Sequence, residues 1–333
     1  MPKKTTICST RKPIYYKRVK EYFAPFRSHP EVALVEKHMP SPKLHPQLGV
    51  YLFSKDSYNY FYALKMNTCA YIFDKEGNIK NNGFIREIAL DWHTFDPMID
   101  LAVFEDFAKK SNFRKSHQDN KLYYDNLLTD YHKLVPLTKM KNWLENKFGF
   151  GYDSYLIYFS PLNKGAQATI QHENNNFKQA LMFVAKVSED EKLSKISNEL
   201  HASWVVFTEI DHNYVNPLSL EYGIISRINK IFTSEWIERE SITMYDSSYK
   251  VYNEYMTFAL FSLYISDNYE AKDVENFIPY LENMMQNSRG FVRFKDFNRA
   301  LLDKYKQNPN IPMKELYHYI LSWAENIAKK AIR

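Results

Sequence analysis

Two cysteines and eight glycines are all that 333 residues contain of either type. Cys8 and Cys69 lack metal-type spacing and are too few for a disulfide scaffold, so a reduced, cytoplasmic chain is the expectation. The scarcity of glycine excludes collagen-like repeats, glycine-rich linkers and many tight hairpins. No run approaches the ~18 apolar residues of a membrane span. No apolar segment follows the N-terminal basic residues, so no secretory signal is read there. Phosphate-cradling and nucleophile-elbow signatures are also missing, since Phe148-Gly149-Phe150-Gly151 has none of their downstream partners.

Acid is missing from one place in particular. Residues 1–20 carry Lys3, Lys4, Arg11, Lys12, Lys17, Arg18 and Lys20 with no Asp or Glu, against a net charge of +5 for the whole chain. The body is therefore nearly neutral. A basic arm over 1–20, partly disordered, accounts for the charge, and no specific nucleic-acid binding is expected.

Aromatic residues are plentiful, with 26 Tyr, 23 Phe and 5 Trp. Pattern along the chain predicts a short helix near Glu31–Lys37, capped by His29 before Pro30, and a hairpin turning at Glu76-Gly77-Asn78. Helical spacing runs from Met98 to Phe148. Strands are predicted over Tyr155–Phe159, Ala166–Ile170 and Ala180–Lys186, and helices from Ser188 nearly to the end. Strands between helical stretches, with no linker, predict one α+β domain over 21–333. Its mixed part runs over 21–190, its helical part over 191–333.

One stretch in the helical part carries chemistry. His201 to Pro217 is apolar on most sides, through Trp204, Val205, Val206, Phe207, Ile210 and Val215, yet it holds Glu209 and His212 on one face. A second apolar helix carries Glu254 on the stripe of Val251, Phe258, Phe261 and Ile265. Buried carboxylates are costly unless paired or metal-bound, so two inward ones predict a polar or metal site where the helices meet. Pairing of Glu209 with His212 satisfies the same constraint. Another Glu-x-x-His, Glu315 to His318, is within chance and lies among Tyr317, Tyr319 and Trp323; a di-iron bundle built on both ranks low. His172-Glu173 reads as polar loop and His93 as structural. Arg289, before the helix-ending Gly290, is read as pairing with a nearby acid or orienting a substrate carboxylate.

Thr208-Glu209-Ile210-Asp211-His212 resembles a degenerate H-E-x-x-H, the zincin motif, with threonine at the first ligand position. The wider block Phe207 to Pro217, with Asn253-Glu254-Tyr255, Ser288-Arg289-Gly290-Phe291 and His29-Pro30-Glu31-Val32, is similar to a bacterial domain-of-unknown-function family with zincin-like features. That resemblance spans about residues 22–325 and implies a zincin-like fold: a small central sheet followed by a mostly helical C-terminal half. It implies a divalent metal, zinc first, held by His212 and Glu254; were Glu209 itself a ligand beside them, two carboxylates and one histidine would suit iron or manganese better. Glu209 would act as general base toward a peptide or protein substrate. His201, Asp211 and Asn216 are candidates for a third ligand or for supporting the ligands. On one continuous helix, though, His201 would stand roughly 16 Å from His212. Thr208 opens the alternative, because a hydroxyl is a poor zinc ligand. In that alternative the scaffold is catalytically inactive, the acids and histidine form a hydrogen-bonded cluster, and the aromatic surface binds a protein or glycan.

Overall fold

The computed structural model describes residues 14–39, 43–44, 51–52, 55–82, 101–162, 167–221, 223–238 and 245–331. Cys8, His93 and the first 13 residues of the basic arm lie outside them. The chain divides into two compact units, Met1–Asn126 and Leu127–Arg333.

In the first unit the basic stretch is helical from Ile14, so Lys17, Arg18 and Lys20 stand on α1 (Ile14–Phe23). Helix α2 (Pro30–His38) starts as its sequence predicts. Proline at the first position loses no hydrogen bond, and His29 Nδ1 accepts the Glu31 amide at 3.1 Å. With Nδ1 an acceptor, Nε2 is the donor, and it meets Asp106 at 2.9 Å. Two short strands, β1 (Lys43–Leu44) and β2 (Tyr51–Leu52), pair antiparallel, and α3 (Lys55–Asn67) follows. The predicted hairpin is β3 (Tyr71–Phe73) with β4 (Ile79–Asn81). Its turn needs Gly77, whose φ of +85° is left-handed, and the Asp74 carboxylate accepts the Asn78 amide at 2.8 Å. Helices α4 (Leu101–Lys110) and α5 (Phe113–Asp119) come next. Helix α6 (Lys121–Leu134) contains the division between the units.

The second unit opens with α7 (Leu137–Phe148), closed by left-handed Gly149. A three-stranded sheet follows, with β5 (Ser154–Phe159), β6 (Ala168–Asn174) and β7 (Phe177–Val184) in spatial order β5-β7-β6. β5 runs parallel to β7, and β6 antiparallel. Position explains composition: β7 is central and buried from Gln179 to Val184, so it reads as a continuous apolar run. The β6–β7 turn places Asn175 and Asn176 at positive φ, which asparagine tolerates best after glycine.

The rest is helical: α8 (Lys195–Ser219), α9 (Ile224–Ile231), α10 (Ser248–Asn268), α11 (Ala271–Asn283), α12 (Phe294–Gln307) and α13 (Met313–Ala331). Ser194 caps α8 and Ser247 caps α10, each accepting the amide three residues on. Helix α10 is buried almost all round, as its composition requires, and α8, α9, α11 and α12 pack around it. Phe207 of α8 meets Phe261 and Tyr264 of α10 with ring centres 5.3 and 4.9 Å apart. No described helix is long and apolar enough to cross a membrane. The second unit is thus α+β, with a small sheet before a helical majority.

Two residues fasten α8 to the sheet. Pro217 has no amide to give the Asn213 carbonyl one turn back, and that carbonyl accepts Tyr152 Oη at 2.9 Å and Gln171 Nε2 at 3.2 Å. The Asn213 side-chain amide donates to Thr169 Oγ1, the Glu209 carbonyl and the Ile210 carbonyl at 2.9–3.1 Å. Asn213→Ala should therefore cost about 2–3 kcal/mol, since it removes both N–H donors that serve these three acceptors. Denaturant unfolding measures this, and a loss under about 0.5 kcal/mol would show that water replaces them.

Candidate functional site

The continuity of α8 decides where its polar residues can go. The helix runs unbroken from Lys195, so His201 and His212 share one rod and stand roughly 16 Å apart. His201 does not reach the cluster. Its ring packs edge-on between Phe277 and Tyr280, with centres 5.1 and 4.4 Å away. Burial lowers its pKa, and the charge of Asp190 opposes this.

His212 does meet Glu254. Its Nε2 lies 3.5 Å from Glu254 Oε1 across the α8–α10 contact, and both side chains are largely buried. His212 Nδ1 faces Asn216 Oδ1 one turn further on, at 3.3 Å. Burial disfavours the imidazolium. The Glu254 hydrogen bond and charge, the Glu209 charge and Asn216 together outweigh burial, so the pKa is raised. Both ring nitrogens then face acceptors, which suits the doubly protonated ring. Asn216 orients His212 from one side.

The other Glu254 oxygen belongs to Arg289. Its Nη2 donates to Oε2 at 2.7 Å and also to Tyr245 Oη. The guanidinium carbon lies 4.5 Å from the Phe258 ring centre, 5.6 Å from Phe291 and 5.9 Å from Tyr245. Three aromatic rings and a carboxylate thus box one cation. Burial works against the charge, but Tyr245, Glu254 and Glu209 more than offset it, and Arg289 stays protonated. Burial likewise opposes ionisation of Glu254, yet Arg289 and His212 hold its pKa below the usual value. Local backbone puts Arg289 there. Met284–Ser288 widens into a π-helical turn at the end of α11, and Gly290 at φ +79° turns the chain away.

Glu209 is nearly buried, and its charge is felt by His212, Arg289 and Asp211. Asp211 points elsewhere. It is fully buried, and neither carboxyl oxygen has a hydrogen-bond partner. Burial, then the charges of Glu209 and Glu254, push its pKa well up, with only the His212 amide pulling down. Asp211 sits inside the helix packing, where burial favours its acid form, and supports no ligand from there.

The donor set can be tested against the metal that the resemblance implies. Thr208 turns its hydroxyl to the Val205 carbonyl, at 3.4 Å. His212 is engaged on both ring nitrogens, Nε2 by Glu254 and Nδ1 by Asn216. Glu254 already holds a cation. Among the described residues, no three His, Cys, Asp or Glu side chains are grouped to hold a metal ion. These residues do not fit a catalytic metal. They form a polar quartet instead, with Glu254 between His212 and Arg289 and the charge of Glu209 felt by both.

Sequence reasoning paired Arg289 with an acid without choosing which, and did not single out Tyr245. Tyr245 gave no signal, since it precedes α10 and only the fold brings its hydroxyl to Arg289. Compared with protein-family models, curated proteins and solved structures, the chain matches none.

Proposed function

We propose that this chain is a zincin-like scaffold without a catalytic metal, serving as a binding module for a protein or glycan partner rather than as a hydrolase. The Arg289–Glu254 pair carries this reading. A guanidinium supplies the positive charge beside Glu254 that a metal would otherwise supply, and it is covalently part of the chain. Glu209, the general base of the alternative reading, has Arg289 and His212 as electrostatic neighbours, each of which feels its charge. The partly exposed side of α8 offers the contact surface: His201, Trp204 and Val205, beside the exposed ring of Tyr280 on α11. Aromatic rings of this kind suit sugar faces and protein hot spots alike.

Elemental analysis of the purified chain tests this. The expected result is far less than one equivalent of zinc, iron or manganese, unchanged in His212→Ala and Glu254→Ala, and no peptide cleavage sensitive to Glu209→Gln. Near-stoichiometric metal that disappears in both variants, with cleavage that stops in Glu209→Gln, would replace this reading with the metallopeptidase one.

A further inference from the structure

We propose that the groove between α12 and α13 binds a neutral, linear oligosaccharide, the glycan partner in the binding-module reading on which this site rests. The two helices pack against each other in the second unit, and the groove between them encloses about 430 Å³, within the range of small-ligand sites. One wall is polar. Along α12 it presents Asp296, Arg299 and Asp303, which share a face because they stand three and four residues apart. Among the described residues neither Asp296 nor Asp303 has an ion-pair partner. Arg299 is tied to the buried Glu282 of α11 through Nε and Nη2, at 3.2 and 3.3 Å, which fixes the guanidinium and leaves Nη1 to donate.

The other wall is aromatic. Tyr319 and Trp323 stand four residues apart on α13 and so share a face as well. Trp236 and Phe297 meet Trp323 at steep angles, 69° and 81°, and among the described residues no ring lies parallel to it. Ala300, the small residue of the α12 wall, leaves room for a ligand ring against Trp323.

Charge selects the class of ligand. Lys304 of α12 holds its Nζ 5.3 Å from the Tyr319 ring centre, so a cation seeking that ring meets a like charge. An anion meets the carboxylates of Asp296 and Asp303. Acceptors and donors alternate along α12 instead, which matches a row of hydroxyls, since each hydroxyl both donates and accepts. At about 1.5 Å per residue the polar groups follow one another at about 4.5 and 6 Å and the two rings at about 6 Å, close to the length of one sugar ring. The apolar face of a sugar lies well on Trp323 or Tyr319. Both walls run along uninterrupted helices, so an extended β-1,4-linked chain fits the groove.

Calorimetric titration with the β-1,4-linked tetrasaccharides of glucose, mannose and N-acetylglucosamine tests the assignment, with tetramethylammonium as the cationic control. At least one tetrasaccharide should bind, and more tightly than tetramethylammonium. Asp296→Ala with Asp303→Ala should weaken it by roughly tenfold or more while leaving circular dichroism unchanged, because both positions are exposed. Trp323→Ala should weaken it as far. No binding of any of the three sugars, tighter binding of tetramethylammonium, or sugar binding that withstands the aspartate variant would overturn the proposal. Binding lost in Trp204→Ala but kept in the groove variants would move the sugar to α8 and overturn it equally. Metal content bears only on the cluster around Arg289, so either result can fail without the other.

Discussion

Exchanging Arg289 for methionine lowers the unfolding free energy by about 3 kcal/mol, the lower end for breaking a buried pair from one side, because the guanidinium keeps 28% exposure. The loss is not that of one hydrogen bond. Methionine fills the aromatic box of Phe258, Phe291 and Tyr245 but leaves Glu254 and Glu209 with His212 as their remaining positive neighbour. The acid side of the pH profile should move as well. In the native chain Glu254 has a lowered pKa, so its contribution is present above the ordinary carboxylate range and is lost as pH falls through that lowered value. Without Arg289 the loss begins at higher pH. Adding Glu254→Gln should recover part of the stability, and a double-mutant cycle by denaturant unfolding should give a coupling of about 1–3 kcal/mol. A coupling near zero would mean that water, not Glu254, balances the guanidinium.

Asp211→Asn should do the opposite and stabilise the protein at pH 8, by an amount that grows with pH. The carboxyl is buried without a hydrogen-bond partner and has a raised pKa. For a raised group, stability is full below the unfolded value and is lost as pH rises through the folded one. Between those values the slope is about 1.4 kcal/mol per pH unit for one proton. Asparagine has nothing to titrate, so the gain should be small near pH 4 and grow with pH. His212 also has a raised pKa and acts in the same direction, so a residual slope should persist in the variant above about pH 6.5. Unfolding curves at a series of pH values measure both. Destabilisation by asparagine at pH 8 would show that Asp211 is ionised and held by a partner.

Much of the chain was legible residue by residue. His29-Pro30 announced a helix start because a ring nitrogen can accept the orphan amide while proline has none to lose. The strand runs at Tyr155 and Ala180 showed apolar continuity bounded by turn residues, although register and ends shifted by a few positions. The inward glutamates were visible because charge on an apolar stripe is costly wherever the helix packs. The nature of the site was not visible. Glu209 and His212 share a face by spacing alone, but which carboxylate the histidine meets depends on how α8 crosses α10, and it meets Glu254. Asp211 differs from Glu209 by two positions, enough to rotate it from the polar quartet into the apolar packing.

Sequence by itself determined most of the helices and strands and the two helices that bury carboxylates, because these follow from side-chain type and local periodicity. Tertiary structure alone decided that Arg289, 35 residues beyond Glu254, sits against it. Burying a charge is tolerated only with its counter-charge in place, and no local rule says from which part of the chain that charge will come.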